Sequence, residues 1–380
     1  MANSFERGLS GSQVSDWAQN DTFTPKGFAS TVNPYGLKLQ QTILSTYRTE
    51  SIYSISGSGT VVTVTCQHGF LVGQTVTISG VNPSAYNITG VITSIGLGYG
   101  WGTSFTINST ATGTYVSGGT VTSGVLPTPP VPFVYAVVVG GGGAMGSYAG
   151  VQGAGGGGGV TWGWTQASQT CVVGYGGNVS NGGLTRYGNL MAGGGGCAGY
   201  GTGAPGTSGA GGAFLGGAGC YTYGNGWSSS NNYWGIPGSN YISQGGISST
   251  TANVMGGNGG DGISGGGGGM SYGASTLVGN VGGKGGNGMT GGGGGTASNS
   301  TISNTPAYGG NGYSLLTNSV SYGGAPFSIY GGGGGGTVSA GGNATASLSG
   351  AGGIGGGGGG SSQNGSQRNV GGQGAIHLYW

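Results

Sequence analysis

Glycoside hydrolysis calls for two carboxylates at a fixed separation, and a Ser-His-Asp site for a histidine held beside a carboxylate. Between residues 140 and 380 the sequence offers one carboxylate, Asp261, and one histidine, His377, and no spacing joins them to a serine. The chain is therefore read as no enzyme, with no catalytic residue. Gly257-x-Gly259-x-x-Gly262 matches the dinucleotide fingerprint, but a chain with 105 glycines in 380 residues matches it by chance, and no βαβ context surrounds it. Lys284 follows Gly283, yet Gly285 stands where a phosphate-binding loop needs Ser or Thr. Cys66, Cys171, Cys197 and Cys220 form no C-x-x-C pair, so neither a metal site nor a disulfide framework is expected, and the cofactor reading is none. The sequons at Asn87, Asn108, Asn299 and Asn343 are what an Asn/Ser/Thr-rich composition produces unselected.

Recognition is the chemistry that remains. Tyr221, Tyr223, Trp227, Tyr233, Trp234 and Tyr241 crowd one stretch among Ser228, Ser229, Ser230, Asn231 and Asn232. Tyr, Trp, Ser, Gly and Asn are the composition of antibody-like binding loops, where rigid rings give contact area and small polar groups give adaptable hydrogen bonds. A smaller set, Trp162, Trp164, Tyr175 and Tyr187, is a secondary candidate. The competing account is that about half of these rings pack over the sides of the scaffold.

That scaffold must be built from glycine, which gathers into runs at 155–159, 265–269, 291–295, 331–336 and 355–360. Glycine richness without a collagen period is a usual mark of disorder. Disordered segments are, however, highly charged and poor in aromatics. This stretch has four charged residues, Arg186, Asp261, Lys284 and Arg368, and many rings. The ordered alternative is a bundle of polyproline-II-like helices of glycine, with three residues per turn and no internal hydrogen bonds, so that each N–H and C=O finds its partner in a neighbouring helix. An interior helix then needs pure glycine, and a surface helix carries a side chain at every third position. Met255-Gly-Gly-Asn258-Gly-Gly-Asp261-Gly-Ile-Ser264 and Val281-Gly-Gly-Lys284-Gly-Gly-Asn287-Gly-Met-Thr290, each followed by five glycines, fit the surface rule. They are two copies of one unit, offset by 26 residues.

Net charge of +2 with 3% charged residues leaves no basic stripe for nucleic acid and no polybasic membrane patch. The N-terminus lacks a signal peptide's apolar core, which predicts a soluble protein made in a cytoplasm. Residues 1–50 hold eight of the charged side chains and read as a connection to something else, with Leu37 to Tyr47 either helix or strand. Residues 51–125 turn to short Val/Thr/Ile runs between turn residues, which predicts a small antiparallel β barrel or sandwich, with His68 making a turn-side hydrogen bond. Residues 126–139 are a Pro-rich hinge and the apolar run Phe133 to Val139. That run is expected to pair with Ala375 to Trp380 and to close the glycine domain, 140–380, at its base, which makes His377 structural. The fold class is thus mostly β and irregular, a β module followed by a polyglycine-II bundle with aromatic loops.

With these residues in view the sequence resembles bacteriophage tail-fibre proteins. Residues 140–380 are similar to the Gly-rich distal adhesins of T-even-like phages. Val64-Thr-Cys-Gln-His-Gly69, Gly73-Gln-Thr-Val-Thr-Ile-Ser-Gly80 and Tyr86-Asn-Ile-Thr-Gly90 resemble a small repeat module of phage tail proteins. The resemblance implies a virion protein, in the tail, that meets a host surface receptor, protein or glycan, through loops between polyglycine-II helices. It also implies that residues 1–50 face other tail or baseplate proteins, with a homotrimer as a possible assembly. The adhesins it resembles are separate caps docked on a fibre, whereas here the glycine domain is fused to its own N-terminal region. The alternatives are an ice-binding polyglycine-II protein, whose flat face the bulky aromatic loops disfavour, and a Gly-rich structural matrix protein.

Overall fold

Alternating Val/Thr and Thr/Ile pairs put one side chain of each pair on either face of a strand. The N-terminal half of the described chain follows that rule. The structure, a computed structural model, describes residues 35–98, 101–124, 126, 129–144, 154–178, 180–197, 221–222, 247–248, 258–259, 264–265, 267–268, 282–295, 308–327, 330–345, 348–359 and 370–380. It is mostly β, and the helix among these residues is a single 3-10 turn, Ser84–Tyr86. No helix among them is long and apolar enough to cross a membrane.

Strand β1 is Leu39–Ile43, so the ambiguous segment after Leu37 resolves as a strand. Then come β2 Thr49–Ser51, β3 Ser54–Gly57, β4 Val61–His68, β5 Thr75–Asn82, β6 Thr89–Gly98, β7 Trp101–Asn108 and β8 Ser117–Thr122. β2 to β8 form one antiparallel sheet in the order β2-β8-β5-β6-β7-β4-β3. It folds around Val62, Val64, Phe70, Ile78, Tyr86, Phe105 and Ile107, all nearly inaccessible. The barrel expected as one alternative does not close. Its two edges, β2 and β3, are consecutive in the chain, and Ile52 and Tyr53 between them donate to Gly119 O on one side and Thr65 O on the other. The chain thus crosses from edge to edge and cannot pair the edges with each other.

Next are β9 Phe133–Val139, β10 Val160–Gln166, β11 Cys171–Val172, β12 Thr185–Tyr187, β13 Leu190–Ala192, β14 Tyr221–Thr222, β15 Ile247–Ser248, β16 Gly312–Ser314, β17 Ser319–Ser321 and β18 Ala375–Tyr379. A second antiparallel sheet runs β1-β18-β9-β10. The expected pairing of Phe133–Val139 with the C-terminal strand is present, with Ala375 opposite Val139 and Tyr379 opposite Tyr135. β9 and β18 read as unbroken apolar runs because both faces of this sheet are covered. Tyr135, Val137, Val139 and Val160 pack on Met289, Tyr313 and Leu315, while Ala136, Val138, Ile376 and Leu378 pack on Cys171, Val173, Tyr187 and Ala192.

β9 runs directly into Gly140, and β10 and β18 follow directly on Gly159 and Gly374. The glycine segments lie outside any strand and are buried at 140–143, 155–159, 193–196, 291–295 and 331–336. Their backbone bonds fan out. Gly140, Gly141, Gly142 and Gly143 donate in turn to Gly159, Gly183, Gly372 and Gly156, so the fourth returns to the segment that the first met. Gly155 and Gly158 donate to Gly358 and Gly355, Gly156 and Gly159 to Gly196 and Gly193, and Gly157 to Gly265. Gly291 and Gly294 donate to Gly335 and Gly332, Gly292 and Gly295 to Gly286 and Gly283, and Gly293 to Gly155. Of these glycines Gly355 alone has positive φ, +84°. They are needed for close approach: a Cβ on Gly142 would meet Gly356 O, on Gly158 Gly140 O, and on Gly334 Gly291 O.

At its described residues, 258–259 and 264–265, the first repeated unit lies beside the second and parallel to it. Ser264 bridges Thr290, Gly259 N–H donates to Lys284 O, and Gly265 N–H to Thr290 O. At the third positions of the second unit Lys284 is exposed and Asn287 half-buried between buried glycines, but Thr290, expected on the same face, is buried and its hydroxyl donates to Gly158 O, as Ser264 is buried in the first unit. At outward positions asparagine replaces a missing neighbour. The amide oxygens of Asn258, Asn287, Asn311, Asn343 and Asn181 accept the backbone N–H groups of Lys284, Asn311, Gly323, Ala325 and Cys197 at 2.8–3.0 Å. Asn311→Leu removes the acceptor for Gly323 N–H and is expected to cost about 1–3 kcal/mol in urea unfolding, because the donor is left unpaired. Asn311→Asp, which keeps an acceptor oxygen there, should cost less; equal losses would show that the bond contributes nothing.

Candidate functional site

Strand direction gives the glycine domain two ends. Phe133, Gln166 and Tyr379 mark the end of the second sheet remote from the glycine segments, and Leu39, opposite Tyr379, brings the N-terminal side of the chain there too. At the other end the segments run out to Ala144, Ala154, Cys197 and Phe327. Of the aromatic stretch chosen from sequence, Tyr221 belongs to β14, which pairs in parallel with β15. Tyr223, Trp227, Tyr233, Trp234 and Tyr241 lie outside the described residues.

Trp162 and Trp164 stand on β10, a strand of the second sheet that follows Gly159 directly. Trp162, opposite Val137, is half-buried against the Val139/Met289/Tyr313 core. Trp164, opposite Tyr135, is 47% exposed, with ring centroids 5.6 Å from Tyr135 and 5.9 Å from Tyr35. Tyr35 and Phe133 are exposed beside them. Burial raises the Tyr135 hydroxyl well above the ordinary phenol range, reinforced by Tyr35 and Tyr379. Packing accounts for Trp162, and the rings of Trp164 and Tyr35 form an aromatic patch at the remote end of the sheet.

The histidines sit in packed positions. His68 ends β4, with Nε2 3.1 Å from Ser104 O and Nδ1 accepting Phe70 N–H at 3.1 Å, and burial lowers its pKa. His377, fully buried, has Nδ1 3.2 Å from Thr42 Oγ1 and Nε2 3.2 Å from Thr337 Oγ1. Burial pushes its pKa down to about 3, so the ring stays neutral and ties β1, β18 and a glycine segment together. Cys66 and Cys171 are buried, and desolvation raises both thiols to about 12, which keeps them from reacting as thiolates.

Thr46, fully buried, joins the β module to the glycine domain. Its Oγ1 accepts Val173 N–H at 2.9 Å, and its carbonyl accepts Gln74 Nε2 at 2.8 Å and Ser123 Oγ at 3.0 Å. The edge of His68 meets Tyr175 across the same joint. A shallow cavity of about 410 Å³ opens there between Ser45, Tyr47, Leu71, Gln74 and Ser123.

Sequence reasoning missed one surface. Segments 282–288, 308–311, 322–325 and 341–344 are successive neighbours: Gly285 and Gly288 donate to Tyr308 and Asn311, Gly309 to Gly324, and Gly341 and Ala344 to Tyr322 and Ala325. Their outward residues form one face, on which Lys284, Tyr308, Tyr322 and Asn343 are exposed. The signal was legible as x-Gly-Gly-x at Tyr308–Asn311, Tyr322–Ala325 and Ala340–Asn343, the same spacing as in the two long units. Among the described residues no three of His, Cys, Asp and Glu converge. No known family pattern matches the chain, and no curated protein or solved structure is detectably similar to it.

Proposed function

We propose that the protein is a receptor-binding component of a phage virion, a tail fibre or tail-tip adhesin. In this reading the glycine segments are polyglycine-II helices and the connections at their far ends recognise the host surface. The observation that carries it is the fan of backbone bonds, in which consecutive glycines donate to different neighbours and the pattern returns every third residue. A three-fold helix does this, whereas a β-strand donates to two sides alternately. A rigid glycine scaffold has no side-chain chemistry of its own, so specificity falls to connections such as Tyr221 to Tyr241. Tyr35, the first described residue, lies at the opposite end, which suits attachment of the N-terminal region to other tail proteins there. Lys284, Tyr308 and Tyr322 on the outward face are too bulky and varied for the flat lattice match of an ice-binding protein.

The test uses virions matched for content of this chain. Replacing Trp227, Tyr233 and Trp234 together by Ser is expected to leave the particle intact and to lower the adsorption rate at least a hundredfold, since each aromatic anchor contributes about 2 kcal/mol or more and several copies act together. Parental adsorption by the triple variant would move the receptor site elsewhere. Absence of the chain from purified virions, probed with an antibody to residues 140–380, would end the adhesin reading.

A further inference from the structure

We propose that the outward face carrying Lys284, Tyr308, Asn311, Tyr322 and Asn343 is a second receptor contact that binds a surface polysaccharide rich in carboxylate or acetamido oxygens. The inference rests on the adhesin reading for its biological setting and on the face's own chemistry for its ligand. The amide oxygens of Asn311 and Asn343 are committed to Gly323 and Ala325 N–H groups. An asparagine whose oxygen is turned inward by such a bond directs its two N–H donors outward. The backbone therefore dictates the polarity of the face: amide donors and the Lys284 ammonium, the one charged side chain on it among the described residues.

A face whose amides present donors and whose charge is an ammonium favours partners rich in strong acceptors. Sugar hydroxyls both give and accept, whereas carboxylate and acetamido oxygens only accept. Tyr308 and Tyr322, 56% and 69% exposed, add flat apolar area on which a sugar ring can lie. The neighbouring segments are held by backbone bonds, so the backbone that carries these groups is set without ligand, which reduces the ordering cost of binding. Its exposed side chains, Lys284, Tyr308, Tyr322 and Asn343, all carry a polar head, which favours a glycan over a protein's apolar anchor.

The experiment measures binding of the purified full chain to polygalacturonate, which supplies carboxylates, to chitohexaose, which supplies acetamido groups, and to dextran, which supplies neither. Binding to one or both of the first two at least tenfold tighter than to dextran is expected. Asn311→Asp with Asn343→Asp keeps the acceptor for each backbone N–H but exchanges outward donors for carboxylate oxygen; it should lose at least tenfold in affinity with an unchanged melting temperature. Tyr308→Ser with Tyr322→Ser should do the same and guards against an unforeseen folding defect in the first pair. No binding to either acceptor-rich glycan, equal binding to dextran, or parental affinity in both double variants would overturn the proposal. Since the assay uses no virions, its failure is separate from failure of the adhesin reading, which the antibody experiment decides.

Discussion

Gly357→Val is expected to prevent residues 140–380 from folding, and Gly333→Val to do the same. A Cβ on Gly357 would collide with Gly155 O and C, and one on Gly333 with Ala351 O and C, both of them backbone atoms that no rotamer change can move. Room can come only by separating segments, and each separation breaks bonds that recur along them. Gly357 itself donates to Gly291 O and accepts from Gly334, so a shift there leaves buried donors and acceptors unpaired at about 1–3 kcal/mol each. Three or four such groups equal much of the roughly 5–15 kcal/mol that holds a domain folded. The graded control is Gly342→Ala. Its Cβ would stand 3.1 Å from Ala351 N and 3.2 Å from Ala351 O, tight but not overlapping, so the cost should be intermediate. Lys284→Ala, at an exposed position that already carries a Cβ, should be near neutral. Thermal unfolding followed by tryptophan fluorescence orders the four; a Gly357→Val chain that melts with Lys284→Ala would remove close approach as the reason for the glycine runs.

Much of this architecture could be read from residue spacing, because glycine reports on distance. A run of five or six glycines with φ on the ordinary side marks a segment that backbone must approach from several directions, and a side chain at every third position marks a segment with one open side. Asn258, Lys284 and Asn287 followed that rule, whereas Ser264 and Thr290, at the same spacing, are buried where the two units meet the rest of the scaffold. Alternation fixed most of the first sheet, and the apolar runs at Phe133 and Ala375 paired as their composition suggested. What spacing could not give was partnership at long range. Nothing in Leu39–Ile43 distinguishes it from a stray strand, yet it covers the free side of β18, more than 330 residues away in the chain. Trp162 and Trp164 showed the opposite limit: their composition suited a binding loop, but they stand with Val160 on one face of a strand, opposite Val137 and Tyr135, which decides their surroundings. The double duty of asparagine, oxygen inward and amide donors outward, was equally invisible, since sequence alone does not say which neighbouring N–H lacks a partner.

That long-range role of β1 and β18 governs the second large effect. Removing Ala375 to Trp380 takes out the strand between β1 and β9, and with it Ile376 and Leu378, both inaccessible, and His377, which links Thr42 to Thr337. Truncating a buried Leu or Ile to Ala costs about 2–5 kcal/mol, and here two whole residues, their hydrogen bonds and the packing of Tyr379 go together. The truncated chain is expected to be insoluble or to lack a cooperative unfolding transition. A chain that begins at residue 126 should be affected less, because of the second sheet it keeps β9, β10 and β18 and loses only the outer strand, β1. It should not behave as an independent folded monomer, however. Without β1 the backbone groups of β18 that pair with Leu39, Gln41, Thr42 and Ile43 become an open edge beside apolar residues, and such edges recruit other chains. It also loses Thr46, whose hydroxyl holds both the N–H and the carbonyl of Val173. Size-exclusion chromatography with light scattering separates the cases. A chain of residues 37–380 should elute as a discrete species, the 126–380 chain as associated or less stable material, and the chain lacking 375–380 as aggregate. A monomeric 126–380 chain with parental stability would mean that β1 covers an edge that needs no cover, and a folded chain without β18 would refute the central place given to that strand.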